Sequence, residues 1–187
     1  MSGKYRLFTV VTLVFLVLDQ VTKIWVVRNL EYQRDEIQII DGWFSLVHAQ
    51  NKGAAFGFMS NNDNAMVFFA VFTLIAVGVL GQMLREMESN ETLQIWGVSL
   101  VASGALGNAI DRAHKQSVTD FLRVYTEHPS LQPWLIENFR TYEWPSFNVA
   151  DAAIVVGLAL FMVDYLFFQK EEEELPSDPP EKMLDEG

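Results

Sequence analysis

The sequence contains no cysteine, which excludes disulfides, thiol nucleophiles and thiolate metal sites but leaves the compartment open. Histidine is scarce. His48, His114 and His128 stand apart, with no H-E-x-x-H spacing and no neighbouring ligand at helical distance, so no metal site is expected. There is no G-x-S-x-G elbow and no S-x-x-K, so acyl transfer lacks an evident nucleophile. Glycine-rich phosphate loops are missing too, and neither a cofactor nor a nucleic-acid partner is expected. Positive charge is the minority, with 13 Lys and Arg against 24 Asp and Glu, a net −11. That balance looks like a soluble acidic protein, but much of it is local. Residues 170–187 hold eight acids and two lysines around K-E-E-E-E-L-P-S-D-P-P-E-K. This stretch is too polar and proline-rich to bury a core, and reads as an acidic disordered tail.

What the chain has in quantity is long apolar runs. Residues 7–27 make a helix of about 31 Å at 1.5 Å per residue, close to the thickness of a bilayer core. Residues 65–84, 93–110 and 149–168 are of similar length. The first run follows Lys4 and Arg6 as a signal peptide would, but no small-residue cleavage site follows Leu18, so it reads as an uncleaved span. Four spans put both termini on one side. Basic residues are denser in the short segments that hold Lys4, Arg6, Arg85, Lys170 and Lys182, which favours termini inside. The expectation is an all-α membrane protein: four transmembrane helices over residues 1–169, outer loops at 28–64 and 111–148, and a cytoplasmic tail.

The loops carry their own signals. Residues 36–49 alternate partly and are rich in β-branched and aromatic side chains, with Asp41-Gly42 as a hairpin turn, so a short antiparallel pair is expected. The stretch N-K-G-A-A-F-G-F, residues 51–58, suits a close backbone approach. In the third loop, L-Q-P-W-L-I-E-N-F suggests a short amphipathic helix at the membrane interface. Ser99, Ser103 and Gly107 form a small-residue stripe that lets another helix come close.

Ionisable groups within spans are expensive and each needs an explanation. Asp19 and Lys23, at i and i+4, share a helical face and can pair. The third run ends at Asn108, Asp111 and Arg112, and Asp120, Asn148 and Asp151 follow, with Asp164 deeper in the fourth. All but Asp164 fall at the outer side. A transporter needs polar groups along a route through the bilayer, whereas an enzyme acting on a membrane-borne substrate needs one pocket at one depth. The distribution favours the enzyme. Two adjacent carboxylates can share a proton, one activating water and the other protonating the leaving amine. Asp151 and Asp164 are 13 residues apart on one helix, roughly 20 Å, and cannot do so. Asp19 has Lys23, and Asp111 has Arg112 beside it. Asp120 and Asp151 are the best pair, although the residues alone equally admit that each merely marks a helix end.

Five elements in order resemble the lipoprotein signal peptidases, the signal peptidase II family. Asp19-Gln20-Val21-Thr22-Lys23 is similar to D-x-x-[ST]-K, and Asn51-Lys52-Gly53-Ala54-Ala55-Phe56 to N-x-G-A-A-F. The run from Gly104 to Arg112 is similar to G-A-x-G-N-x-x-D-R. Val118-Thr119-Asp120-Phe121 is similar to V-x-D-F, and Phe147-Asn148-Val149-Ala150-Asp151 to F-N-x-A-D. The resemblance implies an inner-membrane aspartyl endopeptidase, acting as a monomer, with cytoplasmic termini and a small β-rich cradle on the outer face. It would cleave diacylglyceryl-modified prolipoproteins just before the lipidated cysteine, within membrane lipid, and be blocked by globomycin. It further implies that Asp120 and Asp151 are catalytic, that Asn51, Gly53, Asn108, Asp111, Arg112 and Asn148 position substrate or support the dyad, and that Asp19 and Lys23 stabilise the site. One departure stands out. Asp120 and Asp151 are 31 residues apart, longer than expected for the family, and the excess falls in residues 123–144. It bears on the outer surface, since both flanking elements are intact.

Overall fold

The computed structural model of the chain describes residues 3–53 and 64–169. Ala54, Ala55 and Phe56 of the second element, and the acidic tail from Lys170, lie outside the described residues. Among the described residues, four helices are long and apolar enough to cross a membrane. They are α1 (Gly3–Asn29), α2 (Asn64–Glu86), α3 (Thr92–Lys115) and α5 (Val149–Asp164), the last running on as a π-helical turn over Tyr165–Gln169. The short helix α4 (Leu131–Phe139) lies in the third loop.

The spine is α3, against which α1, α2 and α5 all pack. Its Ile95, Val98, Leu100 and Ala102 are buried, while α1 turns Val10, Leu13, Val14 and Val17 outward. Lipid tails are as apolar as these side chains, so helices in a bilayer associate through close packing and hydrogen bonds. Small residues supply that here. A Cβ on Gly157 would stand 2.8 Å from Gly97 O, and one on Gly104 would collide with Ala150 O. The serine stripe faces α1, whose Thr12 hydroxyl donates to Ser99 O at 3.3 Å.

One end of the bundle is closed by simple pairings. Lys4 Nζ donates to Arg85 O (2.9 Å) and to Met87 O, placing a cation at the C-terminal end of α2. Asp164 accepts from Gln94 Nε2 at 2.8 Å, which accounts for the polar residue that stood apart in the sequence. The other end carries an antiparallel sheet of order β1-β2-β3, formed by β1 (Glu36–Ile40), β2 (Phe44–Asn51) and β3 (Val118–Val124). The hairpin forms at Asp41-Gly42, and Gly42 takes φ +70°, a conformation that glycine adopts without a Cβ penalty.

One sequence expectation needs correction. The third helix does not stop at Ile110, where the apolar run ends, but continues to Lys115. Its last turns turn Asn108 and Asp111 into the protein, so hydropathy falls while the helix goes on. The chain reverses at Gln116 (φ 57°) and Asp120 lies on β3, paired opposite Ala49.

Candidate active site

Every element except α4 and β1 delivers a side chain to one polar cluster at the sheet end of the bundle. At its base is Lys23, fully buried on α1, which pairs with Asp19 Oδ2 at 3.0 Å and lies 3.7 Å from Asp111 Oδ2. It also donates to Asn108 Oδ1 at 3.0 Å. A buried ammonium is tolerated only with such partners. Asp19 Oδ1 accepts the Ala150 N–H at 3.0 Å, fixing the first turn of α5 to α1. There is no room for a side chain at Gly107, where a Cβ would stand 2.5 Å from Asp19 Oδ2.

Asp111 does not rely on Arg112. Its carboxylate takes Lys115 Nζ at 3.2 Å and the Thr119 N–H at 2.9 Å, in addition to Lys23. It anchors the start of β3 to the end of α3. Lys115 stands at i+4 from Asp111, the spacing that linked Asp19 and Lys23, so this pair was readable in the sequence and was missed. Arg112 points elsewhere. Its guanidinium lies 4.2 Å from the Phe69 ring centroid on α2, and its charge couples to Asp151, Asp120 and Asp111 in that order.

Above this base stand Asp120 and Asp151, joined by one asparagine. Asn148 caps α5: its side-chain oxygen accepts the Asp151 N–H at 3.0 Å, and its own N–H donates to Asp151 Oδ2 at 3.2 Å. Its Nδ2 donates to Asp120 Oδ1 at 2.7 Å and to Asn108 Oδ1 at 3.2 Å. Asn108 Nδ2 in turn donates to Asp151 Oδ1 at 2.8 Å. A capping box that would otherwise be local thus becomes the frame between two carboxyl groups from distant parts of the chain.

Asp120 is buried at 3% exposure. That burial pushes its pKa up to about 6, helped by the Asp151 charge and opposed by the hydrogen bond from Asn148, the nearby Asn51 amide and the Lys23 charge. Asn51 ends β2, and its Oδ1 accepts the N–H of Gly53, whose φ of +86° turns the chain away. All ten residues singled out in the sequence therefore lie in or against one network. Gln20 belongs to it as well, bonding Asp19 Oδ2 at 3.0 Å and Gly107 O at 3.2 Å, although only its place inside the first element hinted at this. Phe69 had no polar signature to find.

A model of the family described as Signal peptidase (SPase) II matches residues 11–167. A lipoprotein signal peptidase of Geobacter metallireducens is 42% identical over 89% of this chain and 94% of its own length. Its namesake in Geobacter sulfurreducens is 40% identical over 89% and 95%. A bacterial membrane enzyme solved by the in meso method at 2.3 Å resolution aligns with a TM-score of 0.72 at 26% identity, over 91% of this chain and 94% of the other.

Proposed function

The chain belongs to the signal peptidase II family, and on that premise we propose that Asp120 and Asp151 are its catalytic dyad. It is a multi-pass membrane peptidase that removes signal peptides from prolipoproteins. The observation that carries the dyad is the double engagement of Asn148, which holds Asp120 by its side chain and Asp151 by its backbone. Two carboxyl groups held beside one another by neutral amides, one of them biased by burial toward its protonated form, share a single proton.

In this reading Asp120 enters protonated and Asp151 ionised. Asp151 accepts a proton from water as the water oxygen attacks the scissile carbonyl carbon. Asp120 then donates its proton to the amide nitrogen as the C–N bond breaks, giving a new carboxyl end and an amine. Asp151 is left holding the proton, which returns to Asp120 before the next turnover. Asn51, Asn108 and Arg112 position the substrate backbone, and Asp19, Lys23 and Asp111 hold the frame. A cavity of about 300 Å³ beside Asn108 and Arg112, walled by Phe68, Phe69, Phe72 and Ile154, suits an apolar part of a lipid-modified chain. The substrate is then a diacylglyceryl-modified precursor cut before its lipidated cysteine. The enzyme acts as a monomer in the bacterial inner membrane with both termini cytoplasmic, and globomycin occupies the same site.

The test is turnover of a lipid-modified precursor by purified variants in detergent. Asp120→Asn and Asp151→Asn should each lose cleavage by at least about a thousandfold while remaining folded. Asp111→Asn should be less stable and still turn over. Normal cleavage by Asp120→Asn, with a well-folded but inactive Asp111→Asn, would overturn the assignment.

A further inference from the structure

Phe69 reaches the cluster from α2, the span whose sequence offered it no charged group. The face of its ring lies 4.2 Å from Arg112 Cζ. The same ring presses on the first loop, since a Cβ on Gly53 would stand 3.0 Å from its Cζ and 3.1 Å from its Cε2. One side chain thus touches both groups that lean on the dyad from outside it. Gly53 closes the turn of Asn51, whose amide favours the charged form of Asp120, and the Arg112 charge couples to Asp151 and Asp120.

A guanidinium next to carboxylates ordinarily forms a short, often bidentate ion pair. Such a pair would hold its carboxylate ionised, and a dyad that must pass a proton would be left without one. Among the described residues, the contact that Arg112 makes is to the ring, not to either carboxylate. The attraction of a cation for the negative face of a ring is strongest where water is excluded, so the ring can retain the guanidinium against that competition.

Resting on the dyad reading above, we propose that Phe69 is a positioning residue, whose ring holds the Arg112 guanidinium beside the two carboxyl groups without letting it pair with either. α2 is then more than a wall of the bundle. It sets the cation of the site, and through Gly53 it sets the turn that presents Asn51.

The experiment replaces Phe69 by 4-fluoro-, 3,5-difluoro- and 3,4,5-trifluorophenylalanine, which withdraw electron density from the ring face at nearly constant shape. Cleavage of a lipid-modified precursor and thermal stability in detergent are measured for each. kcat/KM should fall stepwise with fluorination, and Phe69→Leu should lose about 3- to 30-fold, while melting temperatures stay level across the fluorinated series. A flat series, or Phe69→Leu matching the parent, overturns the proposal, because a ring that only fills space is indifferent to its electrons. Loss of activity that simply tracks loss of stability overturns it as well. Asp120→Asn is run alongside. If it cleaves, the dyad reading fails independently; if it is inactive while the fluorinated series is flat, the role of Phe69 alone fails.

Discussion

Asp120 is ionised with more difficulty than an ordinary carboxyl group because burial removes the water that would solvate its charge, and Asp151 adds a like charge nearby. Two amides work against this. Asn148 hydrogen-bonds the charged form and the nearby Asn51 amide also favours it, and the balance leaves the group near 6. The sign of a perturbation follows. Asn51→Ala removes a partner of the ionised form, so Asp120 should keep its proton to higher pH. The alkaline limb of kcat/KM, which reports the free enzyme's essential acid, should move upward. A pH–rate profile against a lipid-modified precursor checks this, and an unmoved limb with a raised KM would assign Asn51 to substrate binding alone. The chemical types of these residues were plain in the sequence, but their partners were not. Arg112 adjoins Asp111 in the chain, yet along a helix neighbours at i and i+1 face apart, and Asp111 found Lys115 and Lys23 instead.

At the scale of elements, the site depends on how closely α1, α3 and α5 approach. Gly107 marks the close approach of α3 to α1, where Asp19 already takes Lys23, Gln20 and the Ala150 N–H. A methyl group there would overlap the Asp19 carboxylate, which has no free space to yield. Gly107→Ala should therefore cost on the order of 1–3 kcal/mol of stability together with activity. Gly81→Ala on α2 is the control, since a Cβ there meets nothing within 4 Å and alanine suits a helix better than glycine. Thermal melts in detergent should separate the two, and equal melting points would mean that the helices move apart at little cost. The strand β3 is the element that sequence patterning did not yield. V-T-D-F-L-R-V alternates poorly because Val118, Thr119, Asp120 and Phe121 are all buried, so neither face announces itself. By contrast α4 was legible, because Trp134, Leu135 and Phe139 lie in an unbroken helical stretch with few competing signals.

Over the whole molecule the polar groups are divided unequally between the two ends. The closed end has Lys4 on the α2 terminus and Gln94 on Asp164, and the sheet end has the cluster. The proposed topology, with both termini cytoplasmic, predicts that the cluster faces outward. The absence of native cysteine makes this directly testable. Ser89→Cys, exposed in the turn between α2 and α3, should resist an impermeant thiol reagent in spheroplasts, and Glu137→Cys, exposed on α4, should react. The reverse pattern would invert the topology. The sequence by itself determined the four spans, because a bilayer rewards unbroken apolar length and penalises each buried charge, and both are read along the chain. It determined the hairpin at Asp41-Gly42 for a similarly local reason. What only the tertiary structure decided is the wiring of the charged residues. Asp19 holds the backbone of Ala150, 131 residues away, and Asn148 spans 28 residues to Asp120. Contacts of that separation are set by which faces of the helices meet, and no local pattern carries that information.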